Sequence, residues 1–193
     1  DGSYFYDFAK HAFGILALEI EADKDQEITI AVGDVAANEK IVREPGGSRI
    51  YQEQKLKVKA GKHYYEMKMQ HPGYGSGTLK LEREICPFRY AEVRNCDGKI
   101  KAFQLAFFGP FNDDAAHFSS SDENLNKIWE FCKYTMKATS VFGIFVDGNR
   151  ERQAYEGDTY INQLGFFCCD DNYKIAYDTI ERLFEFPTWP AEW

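Results

Sequence analysis

Nothing in the 193-residue sequence approaches the roughly 20 consecutive apolar residues that a membrane-spanning helix needs. The opening, Asp1-Gly2-Ser3-Tyr4-Phe5, lacks the basic and then apolar character of a signal peptide. The five cysteines, Cys86, Cys96, Cys132, Cys168 and Cys169, are odd in number and show no CxxC spacing, so neither a zinc site nor a complete disulfide framework is indicated. Cys168 and Cys169 lie in an aromatic run and are expected to be small buried hydrophobes. His11, His63, His71 and His117 are scattered, and no metal is expected. A Gly-x-Ser-x-Gly elbow and a GxxxxGK[ST] phosphate loop are both absent, and no cofactor is implied. Positive charge is scarce: 23 Lys and Arg stand against 31 Asp and Glu, a net charge of −8 that leaves no footprint for nucleic acid or an anionic membrane.

What is present is an apolar fraction of 44%, enough for one good core or two small ones. From Tyr4 to about Phe111, short alternating segments predict strands over 14–22, 27–32, 51–58, 63–69, 78–85, 88–93 and 101–108. Turns at Gly46-Gly47, Pro72-Gly73 and Asp97-Gly98 separate them, and the glycine-rich 73–77 stretch reads as a further turn. The fold expected is an antiparallel jelly-roll β-sandwich over 1–115.

The period then changes. Ser120 stands three residues before Glu123, the spacing of a capping box, and Leu125, Ile128, Trp129, Cys132 and Met136 recur at helical spacing. A helix over 122–138 with that face buried is predicted, and a second carries Ile161, Leu164 and Phe167 or Cys168. A third, opened by Asp170-Asp171 and closed by Pro187, is expected to bury Tyr173, Ala176, Tyr177, Ile180 and Phe184. Residues 116–193 therefore form a helical part, divided from the sandwich near Asn112 to Ser119. Three helices alone leave apolar faces to cover, so the chain reads as a fragment of a larger protein.

Between the first two helices lies the densest chemistry. Asp147, Glu151, Glu156 and Asp158, with Arg150 and Arg152, follow the apolar run Val141 to Val146, which places charge at the rim of a core. Gly148 and Gly157 interrupt any helix there, predicting a shaped loop. An isolated cluster of this kind is more often a solvated, salt-bridged turn. The functional reading is acid catalysis by a carboxyl group that burial or neighbouring carboxylates keep protonated.

Four segments, taken in order, resemble one family. Tyr6-Asp7-Phe8-Ala9-Lys10 with Gly14-Ile15-Leu16 is similar to a "DFGK…G-x-L" motif, and Phe88-Arg89-Tyr90-Ala91-Glu92-Val93 to "FRYVEV". Ser121-Asp122 with Leu125-Asn126-Lys127-Ile128-Trp129 resembles a first barrel helix, and Arg150-Glu151-Arg152 through Gly157-Asp158 resembles "DERLGWTGD". These are motifs of the bacterial α-L-rhamnosidases, which place β-sandwich domains before an (α/α)6 catalytic barrel. The resemblance implies the first helices of a truncated barrel and an inverting glycosidase acting on terminal α-L-rhamnosyl residues.

It places Glu151 on the general acid and Asp158 and Asp147 on sugar-contacting carboxylates, with Arg152 following the acid to orient it or lower a neighbouring pKa. Tyr155 stands where the family has tryptophan, and Gln153-Ala154 replaces Leu-Gly, departures that bear on substrate identity. Trp189 and Trp193 are candidates for an aromatic wall against the sugar, or else for a rigid turn packed on the barrel. Glu156 has no matching role. The family's general base lies beyond Trp193, so the chain alone is expected to be inactive. The implied partner is a rhamnose-containing glycan or glycoside, and the parent is expected in the periplasm or outside the cell. The competing class is a non-catalytic carbohydrate-binding sandwich with a helical linker.

Overall fold

The computed structural model describes residues 2–71 and 81–185. The turns expected at Pro72-Gly73 and over 73–77, the start of the 78–85 strand, Pro187, Trp189 and Trp193 lie outside the described residues. The chain forms two compact units, one of residues 1–71 with 80–106, the other of 72–79 with 107–193.

In the first unit, β1 (Tyr4–Ala22), β2 (Gln26–Gly33), β5 (Tyr51–Val58), β6 (Gly61–Glu66), β7 (Cys86–Arg94) and β8 (Lys99–Ala106) form one antiparallel sheet in the order β5-β2-β7-β1-β6, with β8 also on β1. The short strands β3 (Ala36–Ala37) and β4 (Lys40–Ile41) make a separate hairpin. The expected antiparallel sandwich is thus realised as a curled sheet. Strand β1 does the curling: it pairs with β7 from Tyr4 to Gly14, then runs between β6 and β8 at once from Ala17 to Glu21. Successive strand side chains point to opposite faces, and Ala12, Phe13, Ile15, Leu16, Ala17 and Leu18 are all buried, so both faces of β1 are covered there.

Strand β1 begins ten residues before the predicted segment because its register slips between Asp7 and Ala12 and the strand resumes beyond the irregularity. Ala9, where the "DFGK" motif has glycine, sits in the slip at φ 65°. Asp7 Oδ1 accepts from Ala9 N at 2.8 Å, and Arg89 clamps the same carboxylate from Nε and Nη2, both at 2.7 Å. Two motifs 82 residues apart in sequence are one bonded unit. The described part of the 78–85 segment, 81–85, is not a strand, and β6 stops at Glu66 rather than Met69.

Gly14 is where β1 meets Cys86 of β7 and Ala106 of β8 together. A Cβ there would lie 2.5 Å from the Leu105 carbonyl oxygen. We expect Gly14→Ala to destabilise the sheet by about 2 kcal/mol through overpacking against backbone, measured by denaturant titration of the chain.

The second unit holds α1 (Glu123–Thr139), α2 (Glu156–Phe166) and α3 (Lys174–Phe184). Its contacts begin before Asn112: Phe111 packs edge-on to Phe166, and Asn112 N donates to Asp170 Oδ2 at 2.5 Å. The capping box does not form. Asp122 caps α1 by accepting from Asn124 N at 2.8 Å, while Ser120 Oγ accepts from Asp122 N one step earlier. The expected buried face of α1 is open, with Leu125, Ile128 and Cys132 exposed and no residue of the helix fully buried. On α3 the stripe that packs inward is Ile175, Ala176, Thr179 and Leu183; Tyr173, Tyr177, Ile180 and Phe184, expected inside, face out. Cys168 is also exposed, whereas Cys169 is buried.

The extended segment before the acidic loop divides its side chains between two clusters. Ile144 and Val146 pack with Ala154 and Leu183, while Phe145 packs with Phe166, Ile175 and Ala176. Phe145 N donates to Thr179 Oγ1 at 2.9 Å, fixing the segment to α3. The alternation delivers Asp147 to the edge of this core.

Candidate active site

The loop from Asp147 to Tyr155 is closed at its base. Asp147 N donates to Gln153 O at 2.9 Å, and Gln153 N donates to Asp147 Oδ1 at 2.9 Å. Gly148 at φ 148° and Arg152 at φ 53° supply backbone conformations the reversal requires, the second at a cost of about 1 kcal/mol or more for a non-glycine residue.

Arg152, assigned to substrate binding in the sequence, has no exposed surface. Its Nη2 donates to Asn149 Oδ1 at 2.9 Å, Nε reaches the same oxygen at 3.3 Å, and the guanidinium lies 5.2 Å from the Phe142 ring centroid. A side chain so enclosed holds the loop in shape. Sequence reasoning missed Asn149, since nothing in its spacing from Arg152 marks the bond.

The closure brings Asp147, Glu151 and Tyr155 close enough for the charge of Glu151 to act on both of the others. Arg150 pairs with Glu151 Oε1. Burial is the main reason the Asp147 carboxyl is pushed up to about 6; the Gln153 amide opposes the shift, and Glu151 and the Asp158 charge add to it. The Tyr155 phenol is also raised, first by burial and then by the charge of Glu151. Asp158, in the first turn of α2, is exposed and close enough to act on Asp147 through its charge. Glu156 sits in the same turn. Asp147, Glu151, Tyr155 and Asp158 are therefore one cluster, while Arg152 lies beneath it. Gln153 Oε1 and Thr159 Oγ1 are buried without a hydrogen-bond partner among the described residues. Among the described residues no group of His, Cys, Asp and Glu is arranged to hold a metal ion, and no helix is long and apolar enough to cross a membrane.

Because the folded chain holds the Asp147 proton to a higher pH than the unfolded chain, this group favours folding fully below about pH 4. That contribution is lost as pH rises through about 6. Asp147→Asn cannot ionise, so we expect it to gain on the order of 1 kcal/mol over the parent chain at pH 8, after solvent screening, and nothing at pH 4. Denaturant midpoints at the two pH values check this.

Residues 113–186, which carry this cluster and all three helices, match the bacterial alpha-L-rhamnosidase 6 hairpin glycosidase domain. The chain is rhamnosidase-like. The GH78 family rhamnosidase of Bacillus sp. GL1 is similar in structure with a TM-score of 0.66 at 16% identity, over 93% of this chain and 17% of that one. A rhamnosidase from Klebsiella oxytoca, solved with rhamnose bound, aligns with a TM-score of 0.61 at 15% identity, over 92% of this chain and 35% of that one. No curated protein sequence matches. At these identities the structural likeness establishes the fold: β-sandwich followed by rhamnosidase-type helices. This rhamnosidase-like chain spans only a minor part of the length of either enzyme.

Proposed function

We propose that this chain contributes the acid half of an inverting glycosidase site, with terminal α-L-rhamnosides as substrates. The observation that carries the reading is the half-buried Asp147 carboxyl beside Glu151 and Asp158 at the edge of a core, which burial first and its carboxylate neighbours second push up to about 6, nearer neutral pH than an ordinary carboxyl. In the chain as it stands Glu151 is engaged by Arg150. When a glycoside displaces Arg150, Glu151 enters the reaction as the acid and gives its proton to the glycosidic oxygen as the anomeric C–O bond breaks. Asp158 and Tyr155 line the sugar side of the cluster, and Arg152 with Asn149 fixes the loop.

Inversion further requires a carboxylate about 6.5–9.5 Å from the acid to take a proton from the attacking water. The products are the free sugar of inverted anomeric configuration and the released alcohol. We assign that base to a part of the parent polypeptide outside this chain. The test is hydrolysis of a chromogenic α-L-rhamnoside by the parent and by this chain, with NMR of the anomeric product. Turnover by the parent with inversion supports the reading; retention, or full turnover by this chain alone, overturns it.

A further inference from the structure

In the β-sheet unit, far in sequence from the acidic loop, a cavity of about 520 Å³ is lined by Ser3, Tyr4, Phe5, Glu39, Lys40, Ile41, Arg43, Glu92 and Arg94. Its volume falls in the range of small-molecule sites. Part of the lining is occupied with structure. Glu92 accepts from Ile41 N through Oε1, and Arg94 Nη2 is bound to Glu53 and to the Tyr51 hydroxyl. Arg94 Nε is buried without a hydrogen-bond partner. It stands 3.6 Å from Glu92 Oε2, an ion-pair distance that leaves its N–H unspent.

The side chains of Glu39, Lys40 and Arg43 make no hydrogen bond or ion pair among the described residues, and Arg43 acts on Tyr51 and Glu53 through its charge. Glu39 is the informative one. The β3–β4 hairpin turns through Asn38 at φ 51° and Glu39 at φ 56°, the pattern of a type I′ turn, in which glycine is the favoured second residue. A glutamate there is strained. The strain places a carboxylate in the cavity lining with Lys40 and Arg43.

We propose that this cavity is a second binding site, for a saccharide carrying a carboxylate, such as a uronic acid. Lys40 and Arg43 against Glu39 leave a surplus of one positive charge in a chain whose net charge is −8, which selects an anionic ligand. Arg43 offers a planar fork to the carboxylate. Glu39 and Ser3 take sugar hydroxyls, and the ring of Phe5, opposite Glu92 on β7, supplies an apolar surface for the C–H face. The site uses no residue of the acidic loop, so it stands or falls apart from the glycosidase reading.

The experiment is an amide NMR titration of the chain with glucuronate, galacturonate, galactose and rhamnose. We expect shifts at Tyr4, Phe5, Lys40 and Arg43 with the uronates, and binding at least about tenfold weaker with the neutral sugars. Arg43→Ala should weaken uronate binding by about tenfold or more. Glu39→Gly should weaken it too, while raising the melting temperature by roughly 2–4 °C as the turn relaxes. Equal binding of neutral and acidic sugars, full affinity in Glu39→Gly, or no shift at the cavity would each overturn the proposal. Shifts confined to 147–158 would overturn it and leave the acid site standing.

Discussion

Glu151→Gln in the parent polypeptide should lower hydrolysis of an unactivated α-L-rhamnoside by about 10³-fold, within the range that a positioned general acid contributes. Glutamine keeps the size and an oxygen that accepts from Arg150 but carries no transferable proton. Rhamnose affinity should therefore stay within a few fold of the parent. Substrates with an activated aryl leaving group, whose oxygen departs without protonation, should lose far less. The steepness of that leaving-group dependence separates loss of an acid from general damage to the loop. Uniform loss across all leaving groups, with affinity falling in parallel, would instead make Glu151 a structural member of the turn.

Arg152→Met should cost the helical unit about 3 kcal/mol, the scale on which a buried charge network fails when one partner is removed. The substitution strips both donors from Asn149 Oδ1 and the cation from the face of Phe142, which packs on the Ile144, Val146, Ala154 and Leu183 cluster. Arg152→Gly offers a control, since it relieves the positive φ while also removing the guanidinium. If backbone strain outweighed the side-chain bonds, the glycine variant would match or exceed the parent in stability. We expect it to fall below the parent and above the methionine variant. Hydrogen exchange read separately over α2, α3 and the β-sheet resolves the two units, and protection in the sheet should be unchanged.

The two variants bear on different layers of the same loop. Glu151 is at the surface of the cluster and is expected to cost chemistry with little stability, whereas Arg152 lies beneath it and is expected to cost stability first. The Asp147–Gln153 closure and the Arg152–Asn149 bonds are what hold the loop that carries Asp147 and Glu151 in shape.

The sequence by itself determined the order of the two parts, the antiparallel strands and the position of the acidic loop. Each rests on a short-range regularity: alternation, helical period, or a break in apolar character at Val146 and Asp147. It also determined which family motifs are present, because those are contiguous. The tertiary structure alone decided matters that depend on what meets a residue from elsewhere. Helix α3 has two apolar stripes of similar period, and only packing against Phe145 and Val146 selected Ile175, Ala176, Thr179 and Leu183 over the larger aromatic stripe. Arg152 reads as a surface charge beside an acid, yet the loop closure buries it, because a guanidinium with two bonds to Asn149 and an aromatic face needs little water. The Asp7–Arg89 clamp and the cavity at Glu39, Arg43 and Arg94 join segments tens of residues apart. No local pattern encodes such meetings; they exist only once the sheet has curled.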